Sequence, residues 1–215
     1  MENNRLKLND DKTHLLIMTT NQKQRMMNIN IQIKTATGNI EPKSSEKLLG
    51  IWIKNDLKWA EYLQNSENSL IKQLNTRLNA LRMIGQVASF RARLMVANGI
   101  FCSKLIFQMS LWGGAEECLL SSIQKVQNKA ARYVTRRGIY SSSVEILRQC
   151  GWLSVRQLVF FHSATLIYKA IITCYPKYIH SKLTLEFPYN TRLAQSDCVR
   201  MGPAFKIRTN REKFY

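Results

Sequence analysis

Residues 116–135 read Glu-Glu-Cys-Leu-Leu-Ser-Ser-Ile-Gln-Lys-Val-Gln-Asn-Lys-Ala-Ala-Arg-Tyr-Val-Thr, and this stretch decides how the rest of the chain is read. A helix turns by about 100° per residue. That places Leu119, Ile123, Val126, Ala130 and Val134 in one apolar stripe. Lys125, Lys129, Arg132 and Arg136 recur at intervals of 4, 3 and 4. They form a second stripe, about 120° round from the first, which Arg137 extends. The pattern predicts a helix packed by one face and presenting a row of cations on another. Such a row suits the regularly spaced phosphates of a nucleic-acid strand. A basic face that only keeps the protein soluble has the same sequence signature. Tyr133 and Tyr140 are candidates either for base stacking or for core positions.

On the N-terminal side the helical pattern begins at Trp59. Leu63, Leu70, Leu74, Leu78 and Leu81 predict one long helix to about Met83. A second helix is expected over Phe90–Trp112, closed by Gly113-Gly114. On the C-terminal side, the serines at 141–143 precede a short helix, Val144–Cys150, with Glu145 suited to its first turn. Gly151 ends that helix, and Ser154 caps another to about Thr173. Beyond Pro176 the composition predicts irregular chain. The first 58 residues differ in kind: His14–Thr20, Ile29–Lys34 and Leu48–Ile53 have strand character, with a loop over Thr35–Ser45. The expected fold is therefore α+β and mostly α-helical, a small antiparallel sheet followed by a bundle of four or five helices. The segment boundaries fall at 1–58, 59–137 and 138–215.

Charge sets the class of partner. The chain holds 32 Lys and Arg against 14 Asp and Glu, a net of +18. Residues 1–58 carry 10 basic and 6 acidic side chains and residues 151–215 carry 10 and 3, so no single tail accounts for the excess. A polyanion, nucleic acid first, is the expected partner. Five cysteines stand far apart without a CxxC, and the three histidines do not join them at zinc-ligand spacing. Reduced thiols in cytoplasm or nucleus fit this better than a disulfide framework or a zinc knuckle. Lys104 and Gln108 interrupt one apolar window, and His162 and Lys169 the other, so no membrane span is expected.

Four local patterns occur in order along the chain. The first is Leu6-Lys7-Leu8-Asn9-Asp10-Asp11-Lys12-Thr13 before the apolar run His14–Thr20. The second is Lys47-Leu48-Leu49-Gly50-Ile51, then Leu57-Lys58-Trp59. The third is Ser122 to Arg132 of the quoted helix. The fourth is Cys150-Gly151-Trp152-Leu153-Ser154-Val155-Arg156, followed by Tyr175-Pro176-Lys177-Tyr178 and Tyr189-Asn190-Thr191-Arg192. Together these resemble the later part of a non-LTR, LINE-type (jockey-like) retrotransposon reverse transcriptase, from the end of the palm through the thumb. The resemblance spans nearly the whole chain.

The resemblance implies a segment that grips template and primer, RNA and DNA, beside an active site supplied by a missing upstream polymerase segment. Its metal aspartates would lie ahead of residue 1, so Mg²⁺ is expected only in a full-length enzyme and no metal site in this chain. Asp10-Asp11 reads as a solvated turn, because two-metal chemistry needs carboxylates converging from separate strands. Lys12 is the single candidate for a catalytic part, as an acid toward leaving pyrophosphate or a counter-charge; otherwise it is an exposed strand-edge lysine. Gly50 either lets a primer backbone approach closely or is a packing or turn glycine. Trp59 either stacks on a base or belongs to the core. Two further readings remain open for the chain as a whole: a sequence-unspecific RNA- or DNA-binding protein without catalysis, and a translated remnant of a retrotransposon.

Overall fold

The computed structural model describes residues 12–20, 22–23, 33–34, 38–84, 88–181, 183–186 and 206–209. It divides into two compact units, residues 1–158 and residues 159–215. The class is α+β and mostly helical, with strands only in two-stranded pairs among the described residues.

The strands of the first unit are short. β1 (Leu15–Leu16) pairs with β4 (Pro42–Lys43), and β2 (Ile33–Lys34) with β3 (Asn39–Ile40). β5 (Ser45–Leu48) and β6 (Ile51–Lys54) form the longest hairpin among the described residues of the first unit. The β1–β4 pair is parallel, where an antiparallel remnant was expected. Nothing in the strand residues themselves specifies that sense. Residues 29–32 of the alternating run lie outside the described residues.

The expected strand Leu48–Ile53 is interrupted: Leu48 faces Ile51, and Leu49-Gly50 form a two-residue turn. Both have positive φ, 48° and 88°, the requirement of the tight hairpin turn whose twist matches that of its strands. Gly50 is therefore a turn glycine at the tip of the hairpin.

The helical part follows the apolar pattern but breaks it into pieces. A π-helical turn, α1 (Glu61–Asn65), buries Tyr62 and Leu63. Then the polar quartet at 66–69 stops the chain before α2 (Leu70–Ile84). Ser and Asn side chains compete for backbone partners, which makes such a quartet a natural break. Leu70, Leu74, Leu78 and Leu81 are buried as the spacing requires. The single helix expected over 90–112 is continuous over 90–105, as α3 (Phe90–Ala97), a π-helical turn at Asn98–Cys102 and α4 (Ser103–Leu105), and α5 (Met109–Trp112) stands apart from it. Gln108, left-handed at φ 50°, makes the last break.

α6 (Glu117–Thr135) is the centre of the unit, packing against α2, α3 and α7 (Ser143–Cys150). Gly151 ends α7 in the left-handed conformation, as expected, at φ 68°. Trp152 then stacks on Phe101, centroids 6.3 Å apart, and its indole N–H donates to Asn98 Oδ1 at 2.8 Å. α8 (Val155–Thr173) starts at the Ser154 cap, where Gln157 Oε1 accepts from the Ser154 N–H at 2.9 Å. The second unit takes up α8 from Val159 and contains α9 (Lys177–His180) and an antiparallel pair, β7 (Leu183–Glu186) with β8 (Lys206–Thr209). The expected irregular tail therefore contains a helical turn and a strand pair. Among the described residues no helix is long and apolar enough to cross a membrane.

Candidate nucleic-acid interface

α6 forms where its sequence predicts, and its two faces separate as the spacing requires. Leu119, Ile123, Val126, Ala130 and Val134 are all buried, joined by Leu120, Gln127 and Ala131. Lys125 and Lys129 are exposed, and Arg132 is half-buried with its Nε enclosed and without a hydrogen-bond partner. The row changes at its end. The helix stops at Thr135, and Arg136 turns left-handed at φ 53°. The Arg137 N–H then closes the last turn onto Arg132 O at 3.1 Å. Three cations thus follow the helix, and Arg136 and Arg137 follow from the exposed turn beyond it.

Among the described residues no ion pair is made by Lys125, Lys129, Arg132 or Arg137. A carboxylate near the start of the helix, Glu117, is engaged by Arg156, Nη2 to Oε1 at 2.6 Å. Tyr140, three residues past Arg137, is 97% exposed and so is not a core residue. Tyr133 is half-buried with its hydroxyl enclosed and serves packing instead. Beside the helix lies an open groove of about 330 Å³, lined by Leu120, Ser121, Gln124, Asn128, Leu147 and Arg156 among others. The Gln124 amide on it is already occupied, donating to Gln127 and Asn128 and accepting from the Val155 N–H at 2.7 Å.

The other candidates are dispersed. Lys12 is exposed on the approach to β1, while Asp10 and Asp11 lie outside the described residues. Among the described residues no three His, Cys, Asp or Glu side chains gather as a metal site would require. Gly50 occupies the tip of the hairpin against the Phe107 ring; a Cβ there would stand 3.7 Å from Phe107 Cε1. Trp59 is half-buried just ahead of α1, its carbonyl accepting from Leu63 N–H at 2.9 Å.

Two features escaped the sequence reading. Arg93 on α3 is 6% exposed, and its Nε donates to Val134 O at 2.9 Å while Nη1 donates to Ala88 O at 2.6 Å. A guanidinium at the C-terminal carbonyls of α6 satisfies an orphan acceptor and opposes the negative end of the helix dipole. A basic residue between Ala92 and Leu94 was the only visible signal. The second feature is the thiol pair Cys102 and Cys150. Burial pushes Cys102 up to about 12, helped by Cys150, and burial pushes Cys150 up to about 11. Both are protonated at neutral pH and unsuited to nucleophilic work.

Comparison with protein-family models, with curated proteins and with solved structures finds no match for this chain.

Proposed function

We propose that this chain is a nucleic-acid-holding module that grips a strand by its backbone, as the thumb of a non-LTR retrotransposon reverse transcriptase grips template and primer. The observation that carries the reading is the α6 row: Lys125, Lys129 and Arg132 along a helix whose opposite side is locked into the core, continued by Arg136 and Arg137. The net charge of +18 supplies the diffuse attraction around it. A rise of 1.5 Å per residue sets successive cations roughly 4.5 to 6 Å apart along the axis, so one strand can meet them in turn. Charge without base-reading groups gives affinity with little sequence preference. In this reading polymerisation belongs to a segment that carries the metal aspartates.

The test is binding of a short single strand over a salt series, with Lys125, Lys129, Arg132 and Arg136 all changed to Gln. If each of the four neutralises one phosphate, the change removes about 3 from the log–log salt slope. Gln preserves helix propensity, so circular dichroism should be unchanged. Unchanged affinity and slope in a folded variant would reduce the row to a solvated face.

A further inference from the structure

Away from the α6 row, three more cations stand on elements that meet around Phe107: Lys47 on the hairpin strand β5, Arg77 on α2 and Lys104 on α4. Phe107, in the turn after α4, is the hub. Lys104 Nζ stands over its ring, 5.2 Å from the centroid, and the hairpin tip at Gly50 lies against the same ring. Arg77 is anchored by Nη1 donating to Ile100 O at 2.7 Å, in the π-helical turn leading into α4, and α2 packs on α4. Lys104 and Arg77 are half-buried and Lys47 is exposed. Among the described residues no carboxylate pairs with any of the three.

The fold thus brings three cation-bearing elements to one ring. Partial burial first, then Arg77 and Lys47, bring the Lys104 ammonium below the usual lysine range. A bound anion offsets the like-charge repulsion, because it gives the three cations a shared partner.

We propose that the junction of Lys47, Arg77 and Lys104 binds a phosphate monoester, the doubly charged terminal phosphate of a nucleic-acid strand or of a nucleotide. Charge selects the ligand. A backbone diester brings one negative charge, whereas a monoester brings 1.5 to 2 at neutral pH and three acceptor oxygens. Two ammoniums and the unoccupied donors of a guanidinium fork suit that geometry. Phe107 serves as the post that fixes Lys104, since its ring is already flanked by the ammonium and by Gly50.

The experiment compares one short oligonucleotide with a 5′-phosphate and with a 5′-hydroxyl, each titrated against the full chain by fluorescence anisotropy. The phosphorylated strand is expected to bind several-fold tighter at pH 7.5. That advantage should shrink at pH 5.5, where the monoester loses its second charge. Joint Lys47→Gln and Lys104→Gln substitution should abolish the advantage. Both positions are at least partly exposed, so the fold should hold by circular dichroism. Adenosine monophosphate and inorganic phosphate are the competing arms. If millimolar inorganic phosphate cancels the advantage, the phosphate alone is recognised; if only the nucleotide does, the site also holds its nucleoside.

Equal affinity for the two strands overturns the proposal, and so does an advantage that survives in the double variant. The α6 reading is separable. Its quadruple variant should weaken both strands alike and leave their ratio unchanged, so a ratio of one together with a working α6 row sinks only this inference.

Discussion

Leu49 stands at the hairpin tip in the left-handed region, φ 48°, with 79% of its surface exposed. An L residue there is strained by about 1–2 kcal/mol, and Asn before Gly is the favoured pair for this turn. Leu49→Asn should therefore stabilise the chain by roughly 1 kcal/mol, or about 2–4 °C in Tm. No gain in a thermal melt would mean that Leu49 makes a contact its exposure does not suggest. Arg93 gives the opposite case. Arg93→Met keeps the buried stem but strips Val134 O and Ala88 O of their donor. A loss of about 2–3 kcal/mol is expected, read from urea midpoints. The third residue-scale effect is alkaline. Tyr62 and Cys102 are pushed up to about 12 and Cys150 to about 11, in each case chiefly by burial. Between the ordinary values, 9.0 for the thiols and 10.0 for the phenol, and these raised ones, the native chain holds protons the unfolded chain has released. Stability from these groups is full below about pH 9 and falls as pH rises through 11 to 12. Urea midpoints at pH 8 and pH 10.5 should differ accordingly, and a flat profile would place these side chains in water.

At the scale of elements, α6 shows what a sequence can disclose. Its apolar stripe is wide and continuous, so Ile123 at the centre is fully buried between helices. Ile123→Ala should cost about 2–5 kcal/mol by opening a cavity, while Lys125→Ala on the exposed face should cost almost nothing. Equal effects in denaturant would mean the stripes are assigned to the wrong sides. α7 and α8 were equally legible, because Gly151 and Ser154 are stop and start signals with a local mechanism. The misses share a cause as well. Leu57, Gln108, Arg136 and Cys174 adopt positive φ without being glycine, a conformation that their residue types do not announce. Hence the long helix expected over 90–112 breaks at Gln108 and the basic row bends at Arg136. Arg93 and the trio Lys47, Arg77 and Lys104 were invisible for a different reason. Their significance lies in convergence from separate elements, as when Arg93 reaches Val134 across 41 positions of sequence.

For the molecule as a whole, the question is where the stability resides. The strands of the first unit are paired over two to four residues each, in separate two-stranded ladders with no third strand beside them among the described residues. Ladders of this size are marginal alone and must borrow stability from what they touch. β2 and β3 bury little, for Ile33, Lys34 and Asn39 are exposed. The β5–β6 hairpin differs, because Ile51 is 1% exposed and β6 packs on α1. α2 and α6 contact each other along stripes with most residues fully enclosed, so their amides open only when the core does. Native-state hydrogen exchange should rank these regions in three tiers. Amides at 74–81 and 123–134 should exchange slowest, near the global limit, those of β6 should be intermediate, and those of β2 and β3 fast. The ranking bears on function. A rigid α6 presents its cations at fixed spacing, so little ordering entropy is lost when a strand binds, and affinity follows from charge and geometry. Adding a bound single strand should then slow exchange in the turn at 136–140 far more than in α6 itself, which is already protected. If α6 exchanged as fast as β2 in the free chain and slowed only on binding, the row would be assembled by the ligand. The salt slope would then fall short of the value that preset cations require.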